Sequence, residues 1–378
     1  MRFCLMIAAS LVLGSVASAA QRDQPTAIQV SPVHAAQIVR GDDGMDHVEY
    51  DLLVTSVFPE PVTLTSVTVL DPAGTQLMRI EGDALTAATQ TLFSHTASVV
   101  IPASAAVAVE VDLVLPPDTA PQYLTHRIAY SLKADSALAP MITGLQVDAP
   151  DVAIDHRPAI VIKPPVKGDA WLVSSACCKP NVHRDLRIAI GGVRIETAET
   201  FAIDWARVKN NRIFDGDGSK VEQHYAFGEP VFAVADGTVV SVQDGKPETA
   251  PNAAMQPKTL DDYGGNHVII EIAANVFALY AHLHPGSLTV KVGDVVAAGA
   301  PLARIGNTGP SLGPHLHFGI ADRPDFFAGR SLPFVFDMFT TVGEVDFAVS
   351  EAARLVIAPR PRQVRLAYPL YGGVQNYP

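Results

Sequence analysis

Short runs in which apolar and polar residues alternate, set apart by turn-forming residues, dominate this chain and leave little room for helices. "HVEYDLLVTSV", "VTLTSVTVL" and "AVAVEVDLVL" are rich in Val and Thr and are separated by "DPAG" and "PPD". Every second side chain of a strand falls on one face, so each run reads as a half-buried strand. Over residues 21–150 this predicts a β-sandwich-like domain of antiparallel strands. "DHRPAIVIKPPVKGDAW" then carries three prolines in a short span, which predicts a linker over 151–170. From Trp171 onward glycine turns punctuate the runs. "EPVFAVADGTVVSVQDG" predicts a hairpin at Asp236-Gly237, and "HVIIEIAANVFALYAHL" another at Ala274-Asn275. Helical periodicity is weak throughout, with "VSEAARLV" its nearest approach. The chain is expected to be all-β, with a second β domain over 171–345 and a Pro- and Arg-containing tail over 346–378.

The formal net charge of −12 argues against a nucleic-acid partner. Residues 1–20, "MRFCLMIAASLVLGSVASAA", have an early Arg, an apolar run and small residues at the end. That layout predicts a signal peptide cleaved near Ala19/Ala20, and hence a soluble periplasmic or secreted protein. The apolar run is too short for a bilayer and no second one follows, so no membrane span is expected. Of 3 cysteines, Cys4 falls in this leader. The other two, Cys177 and Cys178, are adjacent, and in an oxidising compartment they form a vicinal disulfide or stay as packed thiols. Zero spacing excludes a C-x-x-C zinc knuckle. Residues 27–150 show no histidine–carboxylate cluster and no glycine-rich loop, so a binding, spacer or folding-assistance role is expected there.

The 12 histidines include two HLH triplets, "YAHLHPGS" with His282 and His284, and "GPHLHFGI" with His315 and His317. On a strand His315 and His317 share a face, while Leu316 and Phe318 turn to the core. Two imidazoles so placed offer one metal ligand and one acid–base group. "TFAIDWARV" adds Asp204, a carboxylate among Ala, Ile and Trp, which needs a partner because an unpaired buried charge is costly. A metal would serve, and so would Arg187, Arg194 or Arg207. Catalytic zinc sites take three protein ligands and leave the fourth position to water.

"ETFAIDW", "GEPVFAVADGTVVSV", "YAHLHPGSLTVKVGDVVAAGAPLARIGNTG" and "GPHLHFGI", in that order over residues 180–320, resemble the lysostaphin/LytM-type zinc endopeptidases of cell-wall peptidoglycan. The resemblance implies a mainly antiparallel β domain with an open groove, and a Zn²⁺ held by two histidines and an aspartate. It carries the Asp ligand to Asp204 and the second His of the HxH to His317. His282 and His315 correspond to the catalytic pair that does not bind metal. The commonest family pattern has its first His four residues before the Asp, where this chain has Thr200, which is not a plausible zinc ligand. His183 in "KPNVHRDLR" is the nearest histidine upstream, so the first ligand is assigned to it, in a branch with a long insertion between the two. His224 and His267 are the alternatives. Recruiting His183 requires the segment after Cys178 to fold back beside the Asp204 strand, turning at Gly191-Gly192, so that strand pairing brings His183 to the carboxylate.

The implied function is hydrolysis of peptide bonds in peptidoglycan stem peptides or cross-links, with the N-terminal domain positioning or shielding the groove or engaging a regulatory protein. The rival readings are a non-enzymatic regulator of wall hydrolases that keeps the groove, and a secreted protease acting on proteins. His284, followed by Pro285-Gly286, is expected at the rim. Tyr263 and Asn266 are expected to line the groove, and Asn307 to shape a turn. "VKVGDVVAAGAPL" resembles a biotin- or lipoyl-carrier hairpin, but Lys291 precedes a Gly-Asp turn rather than occupying a tip.

Overall fold

The computed structural model describes residues 24–92, 96–253 and 257–378 and is built almost wholly from strands. The leader expected over residues 1–20 lies outside the described residues. No helix among the described residues is long and apolar enough to cross a membrane.

Strands from Ile28–Pro32 to Gln146–Asp155 form a ten-stranded sheet. Gln146–Asp155 joins its halves, pairing antiparallel with Tyr123–Leu132 and parallel with Ala36–Arg40. The two halves close on one core. Tyr50, Leu52 and Val54 enter from one side and Leu64, Val67, Leu124 and Ile128 from the other. Alternation drives this arrangement: in Tyr123–Leu132 the residues Leu124, His126, Ile128 and Tyr130 are buried, as the period-two pattern requires.

Most of the remaining strands build an eleven-stranded sheet, and four more form two two-stranded sheets. At its centre Ile203–Arg207 lies between Gly168–Ser175 and Leu316–Ala321. The register sets Asp204 opposite His317, and His317 opposite Ala281 on the next strand. The expected hairpin at Ala274-Asn275 is present between His267–Ala273 and Val276–Ala281, with Asn275 at φ 57°.

Four expectations need correction. The segment 346–378 is not a detached tail. Ile357–Ala367 pairs along Phe334–Val345, and Gly373–Tyr377 sits inside the sheet beside Gly168–Ser175. Tyr377 is buried, and its hydroxyl accepts a hydrogen bond from Trp205 Nε1 at 3.0 Å. Ile357–Ala367 gives no alternation signal because it is an edge strand with most residues exposed, carrying Pro359 and Pro361 where no ladder bond is needed. The proline-rich stretch 151–170 is likewise not free: Ile160–Ile162 pairs parallel with Phe334–Val345, and Lys163 donates to the Val234 carbonyl at 2.8 Å. Asp236-Gly237 does not close a hairpin. Pro230–Phe232 pairs with Pro301–Arg304, whereas Gly237–Gln243 joins the large sheet, so the chain changes sheets at this turn. "VSEAARLV" forms a tight turn closed by Glu351 and Arg354 rather than a helix.

The segment that follows the cysteine pair, a one-turn helix over Val182–Asp185 and the strand Arg187–Ile190, meets the ten-stranded sheet over a buried ionic network. Arg184 donates to Glu49, to Asp51 at 2.5 Å and to the Tyr50 carbonyl at 3.1 Å. Arg187 donates to Asp51 at 2.9 Å and to Glu110 at 2.5 Å. All five charged side chains are between 0% and 3% exposed. Cys177 and Cys178, joined by a disulfide, are buried a few residues upstream of these arginines.

Candidate metal centre and active site

His183 lies on a one-turn helix, Val182–Asp185, whose first turn is capped by the Asn181 side chain accepting from the His183 backbone N–H at 3.0 Å. Behind it the hairpin Arg187–Ile190/Arg194–Thr197 turns at Gly191-Gly192, both at positive φ, as expected. This hairpin is a two-stranded sheet of its own and does not pair with the Asp204 strand. The helix, and not strand pairing, therefore brings His183 to the carboxylate.

His183 Nε2 stands 3.0 Å from Asp204 Oδ2, and His317 Nδ1 stands 2.9 Å from Asp204 Oδ1. The candidate ligand atoms of these three residues all fall within 4.8 Å of one another. His183 and His317 meet edge to face with ring centroids 5.0 Å apart. A zinc ion with bonds of about 2.0–2.1 Å would need ligand atoms about 3.3 Å apart in a tetrahedron, so this N₂O set suits it. The arginine alternative fails. Arg187 is committed to Asp51 and Glu110, Arg194 to Glu196 and Arg207 to Glu229.

His282 and His315 flank the cluster, their centroids 4.9 Å apart, with His282 5.8 Å from His317. His315 Nε2 lies 3.5 Å from Asp204 Oδ1. Backbone oxygens fix three of the rings. Nδ1 of His183 donates to the Ala202 carbonyl at 3.1 Å, Nδ1 of His282 to Thr308 at 2.7 Å and Nδ1 of His315 to Gly313 at 2.8 Å. Each therefore keeps Nε2 for the site. His282 holds a left-handed backbone, φ 58°, a conformation that costs a non-glycine residue on the order of 1 kcal/mol or more. Hydrogen bonds from its N–H to Gly264 at 2.9 Å and from Gly306 N–H to its carbonyl at 3.0 Å keep it there.

The cluster opens into a groove of about 410 Å³, with Val182, Phe214 and Leu312 among its walls. Of the alternative ligands, His224 packs at a tilt against Phe214 in the groove wall and donates to the Gly218 carbonyl at 3.0 Å, and His267 turns to the Gly265 carbonyl at 3.2 Å. Neither joins the Asp204 cluster. Thr200 is buried, and its hydroxyl donates to the Thr197 carbonyl at 3.2 Å. His284 lies away from the cluster, with Nδ1 2.6 Å from Glu248. Tyr263 does line the groove, but Asn266 does not: it is fully buried and bonds the Lys246 and Leu283 carbonyls. Asn307 shapes the loop before His315 by accepting from Ser311 at 2.6 Å. One site residue escaped sequence reasoning. Glu199, 4% exposed, stands 3.4 Å from His317 Nε2 and accepts from the Tyr263 hydroxyl at 3.1 Å. Its only sequence signal is a carboxylate beside the apolar "TFAI" run.

Burial pushes the His183 imidazole down, but the Asp204 carboxylate and, more weakly, Glu199 outweigh it and raise it to about 9 in the metal-free protein. Burial alone would raise Asp204, yet the neighbouring His183 and His315 hold it well below its ordinary range. His282 is pushed well down by burial, reinforced by His315 and His317. The folded pKa of His183 thus exceeds its unfolded value of 6.5. Its stabilisation is complete below pH 6.5 and is lost as pH rises through about 9. We expect the metal-free chain to lose on the order of 3 kcal/mol across that window, visible as a falling urea midpoint. Asp204→Asn should flatten the fall; an unchanged wild-type midpoint between about pH 6 and pH 10 contradicts the pairing.

Residues 218–326 match the family model described as peptidase family M23. That span contains His282, His315 and His317, while His183 and Asp204 precede it. The chain carries an M23 peptidase domain. The peptidoglycan DD-endopeptidases ShyA and ShyB of Vibrio cholerae serotype O1 are 31% and 32% identical over 96 residues, 25% of this chain. The alignment spans 18% of the length of either relative. The lysostaphin catalytic domain from Staphylococcus simulans aligns at 22% identity over 38% of this chain and 80% of its own, with a TM-score of 0.23. At that superposition, assignment to M23 rests on the sequence match.

Proposed function

We propose that this protein is an exported zinc-dependent endopeptidase that hydrolyses peptide bonds in peptidoglycan stem peptides or cross-links. The observation that carries the reading is the convergence of His183, Asp204 and His317 on one point, with His282 and His315 beside it. The curated relatives are named peptidoglycan DD-endopeptidases, which supports peptidoglycan peptides as the substrate class. His183 and His317 would hold the ion through Nε2 and Nδ1, and Asp204 through its carboxylate.

When bound, zinc supplies a water of lowered pKa and polarisation of the scissile carbonyl. The chain's own residues do the rest. The groove seats an extended peptide against Val182 and Leu312, which are 56% and 68% exposed at its edge. The imidazoles of His282 and His315, each fixed through Nδ1, present Nε2 to receive the proton of the attacking water and return one to the leaving amine. Because Nδ1 of both rings donates to a backbone carbonyl, only the ring protonated at Nε2 can donate a hydrogen bond to the developing oxyanion, while the neutral ring takes up the proton.

Digestion of purified sacculi by the chain lacking its leader tests this, with and without a chelator. The expected result is release of uncross-linked or shortened stem peptides, abolished by chelation and restored by zinc. Cleavage of unstructured protein with no effect on sacculi would move the assignment to a protein-directed protease. A zinc-loaded chain inert on both would favour the non-enzymatic regulator.

A further inference from the structure

We propose that Glu199 is a positioning residue that sets the tautomer and ring orientation of His317, so that Nδ1 faces the metal; this rests on the metal reading of the site given above. Among the four clustered histidines, His183, His282 and His315 turn Nδ1 to a backbone carbonyl and Nε2 inward. His317 is the reverse. Its Nδ1 faces Asp204 at 2.9 Å, so the nitrogen that must carry the proton when Nδ1 binds a metal is Nε2. Among the described residues no carbonyl meets that nitrogen. Glu199 Oε1 does, at 3.4 Å.

Glu199 is built for that single contact. Its side chain is 5% exposed, and among the described residues Oε1 has no other hydrogen-bond donor. Oε2 is held by the Tyr263 hydroxyl at 3.1 Å, and the Tyr263 ring packs on Phe327 with centroids 4.4 Å apart. A buried carboxylate left without a donor is costly. Its placement makes sense if the imidazole presents N–H there in the working state. At 3.4 Å the contact lies just beyond a normal hydrogen bond, and a proton on Nε2 is what would close it. The carboxylate then locks the ring against a flip.

The test measures zinc affinity by competition with a chromophoric chelator, on the full chain and on Glu199→Ala, Glu199→Gln and Tyr263→Phe, with thermal unfolding of each metal-free protein. Glu199→Ala should weaken zinc binding about 10–100-fold, as loss of such partners does. Glu199→Gln, which keeps an acceptor without the charge, should recover part of the loss, and Tyr263→Phe should weaken binding by less than Glu199→Ala. The metal-free melting temperatures of Glu199→Gln and wild type should agree. Wild-type zinc affinity in Glu199→Ala overturns the proposal, as does a loss that only tracks a lower metal-free melting temperature. A wild-type chain that binds no zinc overturns the metal reading together with this one. Zinc binding that depends on Glu199 in a chain inert on sacculi sustains the positioning role and removes only the proposed substrate.

Discussion

Asp204→Ala is expected to lose its metal and its hydrolytic activity together, whereas His315→Ala and His282→Ala should keep the metal and lose hydrolysis. Asp204 is the hinge of the cluster, its two oxygens facing His183 at 3.0 Å and His317 at 2.9 Å. Without it two imidazoles remain, too few for a closed set of three protein ligands. His282 and His315 occupy the other side, where loss of an acid–base group costs about 10²–10⁴-fold in rate. His284→Ala supplies the control inside the same HLH triplet, because its ring pairs with Glu248 and should leave activity near wild type. Zinc content and hydrolysis measured on the same preparations separate these classes. Metal lost from His315→Ala, or retained in Asp204→Ala, would reverse the assignment of roles.

The second large effect lies far from any substrate. Arg184→Met should destabilise the chain by about 3–5 kcal/mol, the usual cost of removing one partner from a buried ion network. Arg184 bonds Glu49 and Asp51, which are 0% and 1% exposed, and without it their charge is only partly met by Arg187. Burial raises Glu49 well above the ordinary carboxylate range, and Arg184 is its principal opposing charge. Protonation of Glu49 would follow the substitution, limiting the loss. Because Arg184 is the neighbour of His183 on the same helical turn, zinc binding should weaken as well. A urea midpoint within experimental error of wild type would show that stability does not depend on this contact between the Val182–Asp185 helix and the ten-stranded sheet.

Much of the fold was legible because strands buried on one face write themselves as alternation. Tyr123–Leu132 shows it, and so does the hairpin at Asn275. Edge and crossover segments left no such mark. Ile357–Ala367 is exposed along most of its length, and the turn at Asp236-Gly237 has hairpin residues but hands the chain from one sheet to another. Local sequence encodes the turn, whereas the pairing partner is chosen by distant strands. The site divides in the same way. Asp204 and His317 stand out as polar positions in apolar strands, and their juxtaposition is a matter of register. His183 could be placed only by the family resemblance, since a one-turn helix beside a separate hairpin has no periodicity to reveal its position. Glu199 was invisible because its meaning depends on which nitrogen of His317 faces inward, a property of the folded ring alone.

His183, from across the insertion, is expected to complete the metal site that the commonest family pattern would complete with a histidine at the position of Thr200. An anomalous-diffraction structure of the zinc-loaded chain tests it most directly. The account predicts one peak, with His183 Nε2, an Asp204 oxygen and His317 Nδ1 each at about 2.0–2.2 Å. A peak coordinated by Asp204 and His317 with His183 turned away, or with His224 or His267 in its place, would contradict it.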